Sequence, residues 1–237
     1  IRSNKKHNLE RHCGIMNEYE EQIDRIISVF SQAGFLNDVI LVGSWCLVFY
    51  QHILDGFIPL IRTTDIDFYV PDVKKTSVND DVISSLREIN YDHISDTLTN
   101  KSKFISPDGF EIEFITKLYR QGESTITIGK TGINAESLSY VELFSQHFIE
   151  VNHNGFLLKV ASPSAFVIQK LLINEKRGLK AEKDIQAITS VLTFLILSNK
   201  QKADFLSIWN ELPKKWQATI LRVAKKNGIN LPQEDAK

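Results

Sequence analysis

Val39-Ile40-Leu41-Val42-Gly43-Ser44, and further on Thr64-Asp65-Ile66-Asp67-Phe68, are the stretches whose reading decides the fold of this chain. Val39 to Val42 is an apolar run of strand character, and Gly43-Ser44 turns it into a helix expected to begin around Trp45 and reach about Leu54. Asp65 and Asp67 stand two apart in a second strand-like run that continues Phe68-Tyr69-Val70. Side chains of a strand alternate between faces, so both carboxylates project from the same one. Such a pair suits a hard divalent cation, Mg²⁺ or Mn²⁺. Backbone N–H groups at the Gly-Ser turn suit a phosphate. Metal beside phosphate is the equipment of phosphoryl or nucleotidyl transfer.

A third carboxylate is offered by Gly109-Phe110-Glu111-Ile112-Glu113-Phe114-Ile115, where Glu113 sits in an apolar-acid-apolar-apolar pattern and Glu111 shares its strand face as the fallback. Gly-Ser, then Thr64 before Asp-x-Asp, then an acid on a neighbouring strand resembles the signature of the DNA polymerase β-like nucleotidyltransferase superfamily. Twenty residues separate Ser44 from Asp65, a longer interval than in many small members. That spacing resembles the stand-alone bacterial nucleotidyltransferases related to abortive-infection (toxin–antitoxin) toxins. The resemblance implies that Asp65, Asp67 and Glu113 are catalytic metal ligands, and that Gly43, Ser44 and Thr64 bind nucleotide. It also implies an NTP substrate, with ATP one candidate, and a protein partner of antitoxin type. Glu113 stands where the superfamily more often has Asp.

A second block points the same way. Ser162-Pro163-Ser164-Ala165-Phe166-Val167-Ile168-Gln169-Lys170 opens a helix, and Lys183-Asp184 begins the next after Gly178. This arrangement resembles the abortive-infection toxin group, in which the lysine and the later acid flank the nucleotide. Carried over, Lys170 would contact a phosphate and Asp184 would position it or the acceptor. Read without the resemblance, Lys170 lies along a core edge and Asp184 sits in a helix's first turn, where the macrodipole favours a carboxylate.

The chain has 237 residues, 43% of them hydrophobic and 24% charged, an ordinary balance for a folded protein with a sizeable core. Its two cysteines, Cys13 and Cys46, form no framework, which suits a reducing compartment. The longest apolar stretch, Val191 to Leu197, is too short to span a bilayer, and no secretory signal is visible. The expectation is a cytoplasmic protein without a membrane partner. Residues 1–16 are expected to be a leader ending at the only methionine, Met16, with a nucleotidyltransferase core over 17–161 and a helical domain over 162–237.

Ile23, Ile26, Ile27 and Phe30 recur at helical spacing and predict a helix over 17–33, ended by Gly34. A helix is expected over 78–89, hairpins around Pro107-Asp108-Gly109 and His153-Asn154-Gly155, and a strand over 125–128. After Pro163 the pattern is helical, over 164–176, 181–197, 203–212 and 214–226. A mixed sheet with flanking helices followed by a helical tail is an α+β arrangement. Net charge is −1, yet residues 170–226 hold twelve Lys and Arg against five Asp and Glu. Lys176, Arg177, Lys180 and Lys183 near the expected site, and Lys214, Lys215, Arg222, Lys225 and Lys226 around Trp216, are either a solvated face or a track for RNA, such as a tRNA end.

Gly129-Lys130-Thr131 lacks the first glycine of a phosphate-binding loop and reads as a turn. No histidine–cysteine spacing suggests zinc. The reading is therefore a metal-dependent transfer of NMP from an NTP to a hydroxyl acceptor, RNA or protein. Its alternatives are a small-molecule acceptor of antibiotic type, a non-catalytic nucleotide- or partner-binding module of the same fold, or ordinary strand-end acids in an unrelated α+β domain.

Overall fold

The computed structural model describes residues 21–59, 63–78, 81–120 and 122–232; Cys13, Met16 and the expected leader lie outside the described residues. Helix α1 (residues 21–32) presents Ile23, Ile26, Ile27 and Phe30 to the core and ends at Gly34, whose φ of 71° is the left-handed geometry that glycine allows at a helix C-terminus. The strands are β1 (Ile40–Val42), β2 (Asp65–Tyr69), β3 (Asp92–Ser95), β4 (Ser102–Ile105), β5 (Glu111–Lys117), β6 (Thr125–Thr127), β7 (Asn134–Leu138), β8 (Phe148–His153) and β9 (Phe156–Ala161). Their sheet runs β3-β4-β5-β2-β1-β9-β8, with β7 joining β5 and β6 joining β7.

Two pairings position everything that follows. Strand β1 lies antiparallel to β2, with Val42 opposite Asp67, and β2 lies parallel to β5, with Asp65 opposite Glu111 and Asp67 opposite Glu113. Alternation then sorts the side chains. Ile66, Phe68, Ile112 and Phe114 are buried, while Asp65, Asp67, Glu111 and Glu113 share the other, partly open face. Phe30 of α1 closes the buried side, its ring 4.9 Å from Phe68 and 5.8 Å from Phe114.

The helices are α2 (Cys46–Tyr50), α3 (Val82–Glu88), α4 (Pro163–Ile173), α5 (Ala181–Leu195), α6 (Asn199–Glu211) and α7 (Lys214–Lys226). Helix α4 is buried over ten of its residues, Pro163–Leu172, and packs against α5, α6 and α7. Ser162 caps it by accepting from the Ala165 N–H at 3.2 Å, and Pro163 takes the first-turn position that needs no donor. The apolar core is one continuous cluster from Ile23 to Val223.

Some expected elements change extent. The helix expected from Trp45 to Leu54 is a 3₁₀ turn over Gly43–Trp45 followed by the short α2, because beyond Tyr50 the chain closes only isolated turns such as His52 N–H to Phe49 C=O. Helix α6 starts four residues earlier than the apolar periodicity shows, since Ser198 caps it. Strands β3 and β7 carry polar residues without apolar alternation and were not visible as strands. Among the described residues no helix is long and apolar enough to cross a membrane.

Candidate active site

A cleft of about 400 Å³ opens where the acid face of β2 and β5 meets α4. Gly43, Asp65, Asp67 and Glu113 line it from the sheet, and Gln169, Lys170, Arg177 and Lys180 line it from the helical side. Four residues named from the sequence thus meet Lys170 in one space. Three others sit elsewhere. Ser44 lines a separate pocket of about 80 Å³ together with Lys183 and Asp184. Thr64 is exposed, and its carbonyl accepts the Glu111 N–H at 2.7 Å, so it anchors the start of β5. Asp184 is buried, and its carboxylate is paired with Lys170 Nζ at 2.6 Å and Arg177 Nε at 2.9 Å.

Gly43 approaches Asp67 as no other residue could. Its φ is 71°, and a Cβ at this position would overlap Asp67 Oδ2. The left-handed conformation alone costs a non-glycine residue about 1–2 kcal/mol. Gly43→Ala is therefore expected to lower the melting temperature by roughly 2–8 °C, read by thermal denaturation. A variant that melts with the wild type would show that the close approach is dispensable.

The charges are unevenly neutralised. Burial, and then the charges of Glu113 and Asp65, push the Asp67 carboxyl up to about 7. Glu113 behaves in the opposite way. Against the cost of burial, hydrogen bonds and charge from Lys101 and Lys103 hold it below the usual carboxylate range. Lys101 Nζ lies 2.6 Å from Glu113 Oε2 and 2.6 Å from Glu136 Oε2. Lys103 Nζ lies 2.7 Å from Glu113 Oε1 and 2.8 Å from the fallback acid, Glu111. These lysines were missed in the sequence, although Lys101-Ser102-Lys103 has the same two-residue spacing, and so the same one-face logic, as Asp65-Ile66-Asp67.

Asp65 and Asp67 fit a divalent cation. They are oxygen donors on one strand face, and the raised Asp67 carboxyl marks negative charge that a cation would relieve. Glu113 fits less well, because both its oxygens already carry an ammonium group. Among the described residues no three carboxylate, histidine or cysteine side chains close on one point. Cys46 is not part of the chemistry: burial pushes its thiol up to about 12, and Sγ donates to the Leu41 carbonyl at 3.3 Å. Gly129-Lys130-Thr131 is a turn between β6 and β7, with the Thr131 N–H donating to the Ile128 carbonyl.

The model of a family described as "Nucleotidyltransferase" matches residues 21–212. No curated protein matches the chain. Among the solved structures similar to it are the following three. An antigenic nucleotidyltransferase-like protein from Paracoccidioides brasiliensis is 17% identical, with a TM-score of 0.46 over 85% of this chain and 88% of its own. The antibiotic-resistance factor ANT(2'')-Ia is 11% identical, with a TM-score of 0.47 over 82% and 94%. The lincosamide antibiotic adenylyltransferase LnuA, in its lincomycin-bound form, is 17% identical, with a TM-score of 0.41 over 72% and 94%.

Proposed function

This chain belongs to the nucleotidyltransferase family, and from that premise we propose that it transfers NMP from an NTP to a hydroxyl of RNA or protein, with release of pyrophosphate. The observation that carries the reading is the cleft in which Asp65 and Asp67 face Lys170 across the Gly43 turn. Asp65 and Asp67 would hold Mg²⁺ or Mn²⁺. What such an ion supplies when bound is neutralising charge on the triphosphate.

The chain's own residues do the rest. Gly43, with no Cβ, lets the Asp67 carboxylate lie against its turn, whose backbone N–H groups would meet a phosphate. Lys170 brings an ammonium group into the cleft, and Asp184 holds it there. The work is positioning and charge stabilisation, the main sources of rate in phosphoryl-group chemistry. Arg177 and Lys180 on the rim, with exposed Lys176 and Lys183 beside them, favour a polyanionic acceptor such as a tRNA end.

Incubation of the full chain with each α-³²P-labelled NTP, Mg²⁺ and total cellular RNA tests this. Label is expected to move into RNA or into a protein band only with the ion present. Label on an added small alcohol or aminoglycoside, and on no macromolecule, would favour the small-molecule acceptor. Metal-dependent NTP binding without transfer to any acceptor would make the protein a binding module.

A further inference from the structure

We propose that Lys101 and Lys103 take the place of a cation on Glu113, so that the cleft binds one divalent ion, at Asp65 and Asp67, beside a built-in pair of ammonium charges. The proposal rests on the metal-dependent reading above and deepens it, by assigning the third acid to lysines rather than to metal.

The geometry that points to it is an asymmetry among carboxylates on one sheet face. Among the described residues no lysine or arginine forms an ion pair with Asp65 or Asp67, whereas each oxygen of Glu113 has its own ammonium partner, at 2.6 and 2.7 Å. Contacts that short between charged groups are the strong kind. The arrangement is built into the strand register. Lys103 stands directly opposite Glu113 across the antiparallel β4–β5 pair, and Lys101 precedes it on the same face. Glu136 enters from β7, where it pairs with Ile115 of β5, and takes the remaining side of Lys101.

Displacing these lysines would be costly. The side chains of Lys101 and Glu113 are only 15% and 12% exposed, so a freed partner would be left mostly desolvated and uncompensated. A divalent ion on Glu113 must sit about 2 Å from its oxygen. That places it against one of two ammonium groups, like charge on like. The lysines therefore leave Asp65 and Asp67 as the ion's seat and supply fixed positive charge on the Glu113 side.

Mn²⁺ titration of the full chain, followed by electron paramagnetic resonance without nucleotide, reads the number and affinity of ions directly. One equivalent is expected. Glu113→Gln is expected to keep that affinity within about twofold, while Asp65→Asn weakens it by at least about tenfold. The double variant K101M/K103M is expected to admit a second equivalent, because it frees both Glu113 oxygens. Two equivalents in the wild type, a tenfold loss on Glu113→Gln, or no second ion in K101M/K103M would each overturn the proposal and leave metal-dependent transfer standing. A wild type that binds no Mn²⁺ would overturn both.

Discussion

Asp67→Asn is expected to reduce nucleotidyl transfer by a factor of about 10³ or more while leaving the metal-free protein as stable as the wild type, or more stable, at pH 8. The loss follows from removing one of two carboxylates that share a strand face in the cleft. The stability follows from the carboxyl's environment. Burial, Glu113 and Asp65 raise Asp67 to about 7 from an ordinary value near 3.8. The folded chain therefore holds this proton more tightly than the unfolded chain does. Metal-free stability is highest at low pH for this group and falls as pH rises from about 4 through about 7, by at most on the order of 4 kcal/mol. Asparagine does not titrate, so the variant's melting temperature should lack that decline between pH 5 and pH 8. Added Mg²⁺ should raise the wild-type midpoint at pH 8 and leave the variant's unchanged. A variant that retains wild-type transfer, or that melts many degrees lower at pH 8, would remove Asp67 from the proposed metal site.

What was legible in the sequence followed from short-range rules. Strand alternation alone predicts that Asp65 and Asp67 share a face, and the observed burial of Ile66 and Phe68 on the other face is the same rule seen from inside. The hairpin at Asn154-Gly155 has positive φ at both residues, 49° and 87°, as that residue pair favours in a tight turn. The start of α4 was readable because Ser162-Pro163 is a cap followed by a first-turn proline. The family assignment also came from local motifs in order.

What escaped was long-range or lacked periodicity. Strand β7 is Asn134-Ala135-Glu136-Ser137-Leu138, with no alternation of apolar residues, because it completes the sheet at the end of β5 rather than covering a core face of its own. Without β7, Glu136 has no visible connection to the site. Lys101 lies twelve residues from Glu113 and thirty-five from Glu136, and only the folded sheet brings the three together. The resemblance implies that Asp184 flanks the nucleotide and positions the phosphate or the acceptor. The structure places it behind the lysine, where it joins α5 to α4 through Lys170 and to the intervening loop through Arg177.

That placement makes Asp184→Ala the substitution with the largest expected effect on stability. Lys170 and Asp184 have side chains only 7% and 5% exposed, and Arg177 closes the other carboxylate oxygen. Removing the carboxylate leaves the Lys170 ammonium in a buried position with the Phe166 ring at 5.6 Å as a weak substitute. Breaking one side of a buried pair costs about 3–5 kcal/mol, chiefly because the surviving charge is stranded. For a chain of this length that corresponds to a fall of roughly 6–20 °C in melting temperature. The double variant Lys170→Met with Asp184→Leu is expected to regain most of that loss, since two apolar side chains leave no charge stranded in the interior and Arg177, 32% exposed, can turn to solvent. Transfer should not return with it, because the ammonium in the cleft is gone. Thermal denaturation and labelled-NTP transfer on the same two proteins separate the roles. Recovery of both would show that Lys170 matters only to packing. Recovery of neither would show that the pair's contribution to the fold is specific to its charges.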